Sequence, residues 1–473
     1  MKKLPSLSLL RKQIDNKDVR QALTFLLANR AFFATFADVE ELIFSMPDPP
    51  LPPPWPGVEH HFSALKGRVA SVLYSYGIFV GSSVLDDLLF AGLREVKVHD
   101  PIMFALEGIR DTGIHRPGMI VYPLHSFGLI GVGFLEHYFK VRGDITIAEA
   151  GISVRAQTNS QDASTAFLER TADQFGIRER LPRDLLTHYI RSRSLNWFTH
   201  NPLLVVKIRS FSGSYSETQA LFLIKLKLAS SVLFMMKSFE EGLVKSGDRF
   251  GSSARVNNFQ TLDIKHYLLF EQRPGRRREL RARCIPMNAS RAELAELSAA
   301  TVELDPRVWR HRMPIVLQMI AALGEIERGY LRYCLVRSKK KDARAEFYRK
   351  LFECLSYFRR SFRPAANPGE RVVNLAVAFE MLLTDRWGSG VAERLHKRLR
   401  TVLTDVRGIR RFLRSLDDLW VCRCEVVHRG LAKTSVDLAI AQRAFVHAFI
   451  WVAMRARGVP RIEGEPVRML LAE

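Results

Sequence analysis

"AFVHAFIWVAM", residues 444–454, presents apolar side chains on nearly every side that a helix could show. A surface helix keeps one polar stripe, so a helix without one must be buried on several sides. The stretch therefore demands a helical bundle around it, or a bundle closed by a dimer interface. Upstream, "RVWRHRMPIVLQMIAALGEIERGYLRYCLVRSKK" (307–340), "DARAEFYRKLFECLSYFRRSF" (342–362), "PAANPGERVVNLAVAFEMLLTD" (364–385), "GVAERLHKRLRTVLTD" (390–405) and "GIRRFLRSLDDLWVCRCEVVHRG" (408–430) carry helical patterns. "SRAELAELSAATVEL" (290–304) reads the same way. Ser435 is a plausible N-cap, and Gly430 and Gly458 fall where helices should stop.

Before residue 290 the character differs. "REVKVHD" (94–100), "MIVYPL" (119–124), "DITIAEAGISVRAQ" (144–157), "LLVVKIRSF" (203–211) and "LDIKHYLLFEQ" (262–272) are β-branched or alternating runs bounded by turn-forming residues. Helical patterns at 18–44 and 218–243 lie between them. "MPDPPLPPPWPG" (46–57) reads as a stiff extended connection or a polyproline ligand, since proline lacks a donor and fixes φ. The fold class expected is α+β: a mixed α/β region over 1–290, then an all-α bundle over 291–473.

Lys plus Arg is 71 against 49 acids, a formal net charge of +22. That excess favours a polyanionic partner, most simply RNA, through phosphate contacts. It is also clustered. "RPGRRRELRAR" (273–283) has six arginines, including Arg276, Arg277 and Arg278, and one acid. Residues 391–414, with Arg394, Lys397 and Arg398, carry eight bases and two acids. These residues are candidate RNA contacts, although "RPGRRRELRAR" reads equally well as a solvated hairpin turn. The N-terminus has no signal-peptide pattern, and the most apolar window (118–139) is broken by Pro123, His125 and glycines. The five cysteines lack framework spacing and have no zinc-site pattern. A cytoplasmic protein without membrane span, metal or cofactor is expected.

Arginine, four residues and histidine recur at Arg94/His99, Arg110/His115, Arg183/His188 and Arg423/His428, so spacing alone decides nothing. Context favours the last. A helix ending near His428 would let the imidazole swing towards the Arg423 guanidinium, a freedom that helix interiors lack. Upstream, Glu380 interrupts the apolar run of "VVNLAVAFEMLLTD". A buried carboxylate needs a cation, and Arg423 is the candidate.

"NLAVAFEMLLTD", "ERLHKRL", "LDDLWVCRCEVVHRG" and the "SVDLAIAQRAFVHAF" helix together resemble the HEPN domain of the ApeA-like group, over about residues 365–457. The resemblance implies an α-helical, usually dimeric endoribonuclease that needs no metal and acts in anti-phage defence or as a toxin. It further implies that Arg423 and His428 of both protomers meet across the dimer axis, with Glu380 in support. The residue types suit that chemistry. Histidine can exchange a proton near neutral pH while RNA's own 2′-hydroxyl attacks. Arginine offers charged donors to the transition state. Here Cys424 follows the arginine, and Arg429, a further candidate RNA contact, stands between His428 and Gly430.

Two other readings stand beside this one. The motif could be structural, in a non-catalytic module that binds RNA or a protein. Alternatively Asp86 or Asp87 with Glu95-x-Lys97 could form a Mg²⁺-dependent nuclease core. No dinucleotide or Walker motif occurs.

Overall fold

A computed structural model of the chain describes residues 5–37, 55–78, 80–111, 117–124, 127–129, 144–156, 160–191, 197–209, 215–240, 266–272, 279–287, 293, 296–297, 302–304, 309, 313–334, 343–362, 368–385, 390–430, 435–457 and 464–471. Helices α1 (Leu7–Ile14), α2 (Lys17–Ala28), α3 (Arg30–Ala34), α4 (Trp55–Ser75), α5 (Ser82–Arg94) and α6 (Pro101–Asp111) come first. Strands β1 (Pro117–Pro123), β2 (Phe127–Leu129), β3 (Asp144–Ile147) and β4 (Ile152–Arg155) follow, then α7 (Gln161–Gln174), α8 (Arg183–Arg191) and α9 (Trp197–His200). After β5 (Leu203–Arg209), α10 (Tyr215–Glu240), β6 (His266–Gln272), β7 (Leu280–Pro286) and β8 (Val302–Leu304), the chain is helical. Its last helices are α11 (Met313–Tyr333), α12 (Ala343–Arg360), α13 (Pro368–Leu383), α14 (Val391–Val402), α15 (Ile409–Arg429), α16 (Leu438–Ala456) and α17 (Pro466–Leu471).

The sheet divides the interior in two, because successive side chains of a strand point to opposite faces. Its order is β3-β4-β5-β1-β6-β7, antiparallel throughout. On one face Ile120, Tyr122, Leu204, Val206, Tyr267 and Leu269 join a core that continues into the helical bundle. On the other, Met119, Val121, Leu203, Val205, Leu268 and Phe270 meet Phe167, Leu168, Trp197 and Phe198 of α7 and α9. The architecture is α+β and mostly helical.

Helix α10 joins sheet to bundle, packing on β5 and β8 as well as on α11, α12 and α16. It is the one helix among the described residues long and apolar enough to cross a membrane, and 83% of its apolar window is buried inside the protein. Helix α16 contacts α10, α11, α13, α14, α15 and α17. Phe445, Val446, Phe449 and Ala453 on it are fully buried, as the all-round apolar pattern requires. Burying each such aromatic contributes roughly 1.5–3 kcal/mol.

Several readings from sequence change. Asp437, not Ser435, caps α16, its carboxylate accepting from the Ile440 N–H at 3.1 Å. Residues 94–100 are not a strand. Helix α5 ends at Arg94, and Asp100 accepts the Ile102 and Met103 amides at the start of α6. Trp55-Pro56-Gly57 open α4, where proline's missing N–H costs nothing, while 46–54 lie outside the described residues. Val302–Leu304 is strand rather than helix, because it pairs in parallel with β2. β7 also went unread as a strand. It pairs antiparallel with β6 up to Gln272↔Leu280, and residues 273–278 between them lie outside the described residues.

Candidate functional site

Glu380 lies on α13 with Leu375, Ala376, Phe379, Leu382 and Leu383 buried around it. Burial pushes its carboxyl pKa above the ordinary range, and the facing Arg423 charge opposes that shift. The Arg423 Nη2 stands 3.6 Å from Glu380 Oε1, with about a quarter or less of each side chain exposed (25% and 21%). That distance gives charge attraction but no hydrogen bond. Glu380 Oε1 and Arg423 Nε are both buried and have no hydrogen-bond partner among the described residues. The guanidinium also lies over the Trp420 ring, 5.1 Å from its centroid, a cation–π contact three residues back along α15. Sequence reading passed over Trp420, although that spacing was visible.

His428 is placed differently from the expectation. Helix α15 runs unbroken to Arg429, and Gly430 closes it with φ 72°, its N–H reaching Val426 O at 3.0 Å. Only glycine takes that left-handed conformation without strain. Arg423 and His428 are thus both helical, so their side chains point roughly 140° apart with a rise of about 7.5 Å. Arg423 turns towards α13, and His428 stands exposed on the solvent stripe that also carries Arg414 and Val421. Within one chain the helix does not let the imidazole swing to the guanidinium. Cys424 is half-buried beside them, and Arg429 is exposed in the last turn, where the helix dipole favours a cation.

The basic candidates divide. Lys397 is exposed, as are Arg400, Arg407, Arg410, Arg411 and Arg414 around the α14–α15 turn. Arg394 is half-buried. Arg398 leaves the RNA-facing set, because it is only 4% exposed and donates to Leu383 O at 2.8 Å and to Asp385 at 3.3 Å, closing the end of α13. Arg276, Arg277 and Arg278 lie outside the described residues. Nearby on β7, Arg281 is exposed and Arg283 pairs with Glu271 at 2.5 Å. Between Arg410 and His428 the helix rises about 27 Å, so the exposed arginines and the histidine occupy opposite ends of one element.

At the rival carboxylate site, Asp86 is buried and pairs with Lys66 at 2.8 Å, while Glu95 and Lys97 are exposed in the turn after α5. The helix turns one member inward and leaves the other pair in solvent. No group of three or more His, Cys, Asp and Glu able to hold a metal occurs among the described residues.

Neither family models, curated proteins nor solved structures give a match to this chain.

Proposed function

We propose that the protein is an endoribonuclease of the HEPN type, centred on Arg423 and His428 and active in cells against phage or as a toxin. The observation that carries this reading is the Arg423–Glu380 pair. A half-buried arginine stands between a carboxylate and an aromatic ring, near the end of a helix whose last turn carries an exposed histidine. A positioned guanidinium with hydrogen-bonding capacity in reserve suits the charge that grows on a phosphate in the transition state. RNA supplies the nucleophile. Its 2′-oxygen bonds to phosphorus while the bond from phosphorus to the 5′-oxygen breaks. A neutral His428 takes the 2′ proton, a protonated one returns a proton to the leaving oxygen, and the products are a 2′,3′-cyclic phosphate and a 5′-hydroxyl.

Because Arg423 and His428 of one chain diverge, the site is completed by a second copy, in a homodimer of the helical bundle. Val421 and Val427, about half exposed on α15 (49% and 51%), offer the apolar contact next to His428. The exposed arginines at the other end of α15 guide the RNA strand, tRNA among the candidates, in the cytoplasm.

The same divergence favours a second reading, a binding module without catalysis, in which Arg423 and Glu380 only tie α15 to α13. The His428→Ala variant separates the two. Retained RNA binding in a gel shift with lost cleavage supports the enzyme, and unchanged behaviour in both assays supports the module.

A further inference from the structure

The turn between α14 and α15 gathers cations on one surface. Lys397, Arg400, Arg407, Arg410, Arg411 and Arg414 are exposed there. Nearby acids offset only part of that charge. Asp417 is taken by His396 at 2.8 Å, and Asp437 faces Arg411 at 3.7 Å. Glu393 and Asp405 are exposed, and Asp418 is half-buried. The side chains of Arg407, Arg410 and Arg414 have neither an ionic nor a hydrogen-bond partner among the described residues.

This placement works against α15 itself. A helix N-terminus favours acids, yet α15 has none in its first turn, where Arg410 and Arg411 stand just after Arg407. Gly408, its N-cap, supplies no side-chain acceptor. Arg410 and Arg414 are like charges one turn apart, which weakens the helix further. A polyanion lying against these arginines relieves both costs, and a nucleic-acid backbone is such a polyanion.

The surface suits paired strands better than single ones. Proteins that hold single strands add aromatic platforms on which bases stack. Residues 391–418 contain one such ring besides His396, that of Phe412, and it is buried. An A-form duplex, in contrast, is read through its phosphates and 2′-hydroxyls. Distance points the same way. From Arg410 to His428 the helix makes about five turns, so both stand on one face, about 27 Å apart. A stiff duplex spans that length without bending, whereas a loose strand held by charge alone does not fix its far end.

We propose that the arginine surface at the start of α15 grips base-paired RNA, so that the substrate is a stem with unpaired nucleotides beside it. The selection of such a substrate rests on the reading of the protein as an RNA-cleaving enzyme. The cut falls in the unpaired part, because a regular A-form helix holds the 2′-oxygen out of line with the leaving 5′-oxygen.

The test is fluorescence anisotropy of the full chain with an RNA duplex of about 20 base pairs, the same stem closed by an unpaired loop, and a strand unable to pair. Expected is binding of the duplex at least tenfold tighter than that of the strand. Arg407→Gln/Arg410→Gln/Arg414→Gln should lose tenfold or more on the duplex and lower the salt slope by about 3. Arg20→Gln/Arg110→Gln/Arg183→Gln removes the same charge from exposed sites elsewhere and should change that affinity less than threefold. Incubation with the looped RNA should place every cut in the loop. Equal or tighter binding of the strand would overturn the proposal, as would tighter binding of a DNA duplex of the same sequence. So would duplex affinity unchanged in the α15 variant, an equal loss in the charge-matched control, or cuts within the stem. Duplex binding as expected with no RNA cut would support the surface while contradicting cleavage at His428.

Discussion

Glu380 and Arg423 face each other across 3.6 Å with no hydrogen bond between them, although both are largely withdrawn from water. Two half-buried charges at that separation attract, while each keeps hydrogen-bonding capacity that a direct bond would have used. Removing one leaves the other desolvated and unpaired. Glu380→Ala should therefore cost about 1–2 kcal/mol in urea denaturation, less than a fully buried pair because both groups retain some exposure. Arg423→Met, which keeps the stem packed, should cost under about 1 kcal/mol when combined with Glu380→Gln. Equal losses from the single and the double variant would show that the pair does not hold α13 to α15.

Arg359 and Glu296 make the more deeply buried pair, at 1% and 3% exposure, and Arg359 also donates to Lys227 O at 3.2 Å and Ser231 Oγ at 2.7 Å on α10. This network ties α12 to the helix that supports the sheet. Glu296→Ala should destabilise by about 3–5 kcal/mol, since it strands an arginine in the core. A loss below about 1 kcal/mol in chemical denaturation would contradict the assignment.

His447 is packed between Phe239 and Phe412, at 5.0 and 5.8 Å between ring centroids, with Arg443 one turn away. Burial first, and the Arg443 charge second, depress its pKa from 6.5 to about 4. The unfolded chain thus takes up this proton before the folded one does, so stability falls as pH drops from 6.5 towards 4. His447→Leu should flatten that part of the stability–pH curve by about 2 kcal/mol. An identical slope in the variant would mean that His447 does not contribute.

Two glycines of α11 should respond in opposite directions. Gly329→Ala places a methyl against the Tyr348 ring and should cost about 1–3 kcal/mol. Gly324→Ala meets open space and should gain about 0.5–1 kcal/mol from helix propensity. Melting temperatures that move together would contradict the packing described.

The bundle was legible because its signal is local. An all-round apolar α16 and a lone glutamate in α13 are visible in one dimension, and the cation opposite Glu380 followed from the cost of burying a charge. What could not be read was set by tertiary pairing. Val302–Leu304 looks helical until β2 lies beside it, and Arg398 looks like any arginine of a basic run until the end of α13 claims it. The stop at Gly430 was legible, but not that the last turn keeps its helical conformation through His428. With α15 continuous to Arg429, His428 is carried to the face opposite its expected partner.

The measurement that bears most directly on the central claim is cleavage of total cellular RNA, tRNA included, by the purified protein in excess EDTA, with His428→Ala alongside. Fragments ending in cyclic phosphate are expected from the unaltered protein and none from the variant. Equal cleavage by both proteins would contradict it, and so would cleavage that appears only when Mg²⁺ is restored.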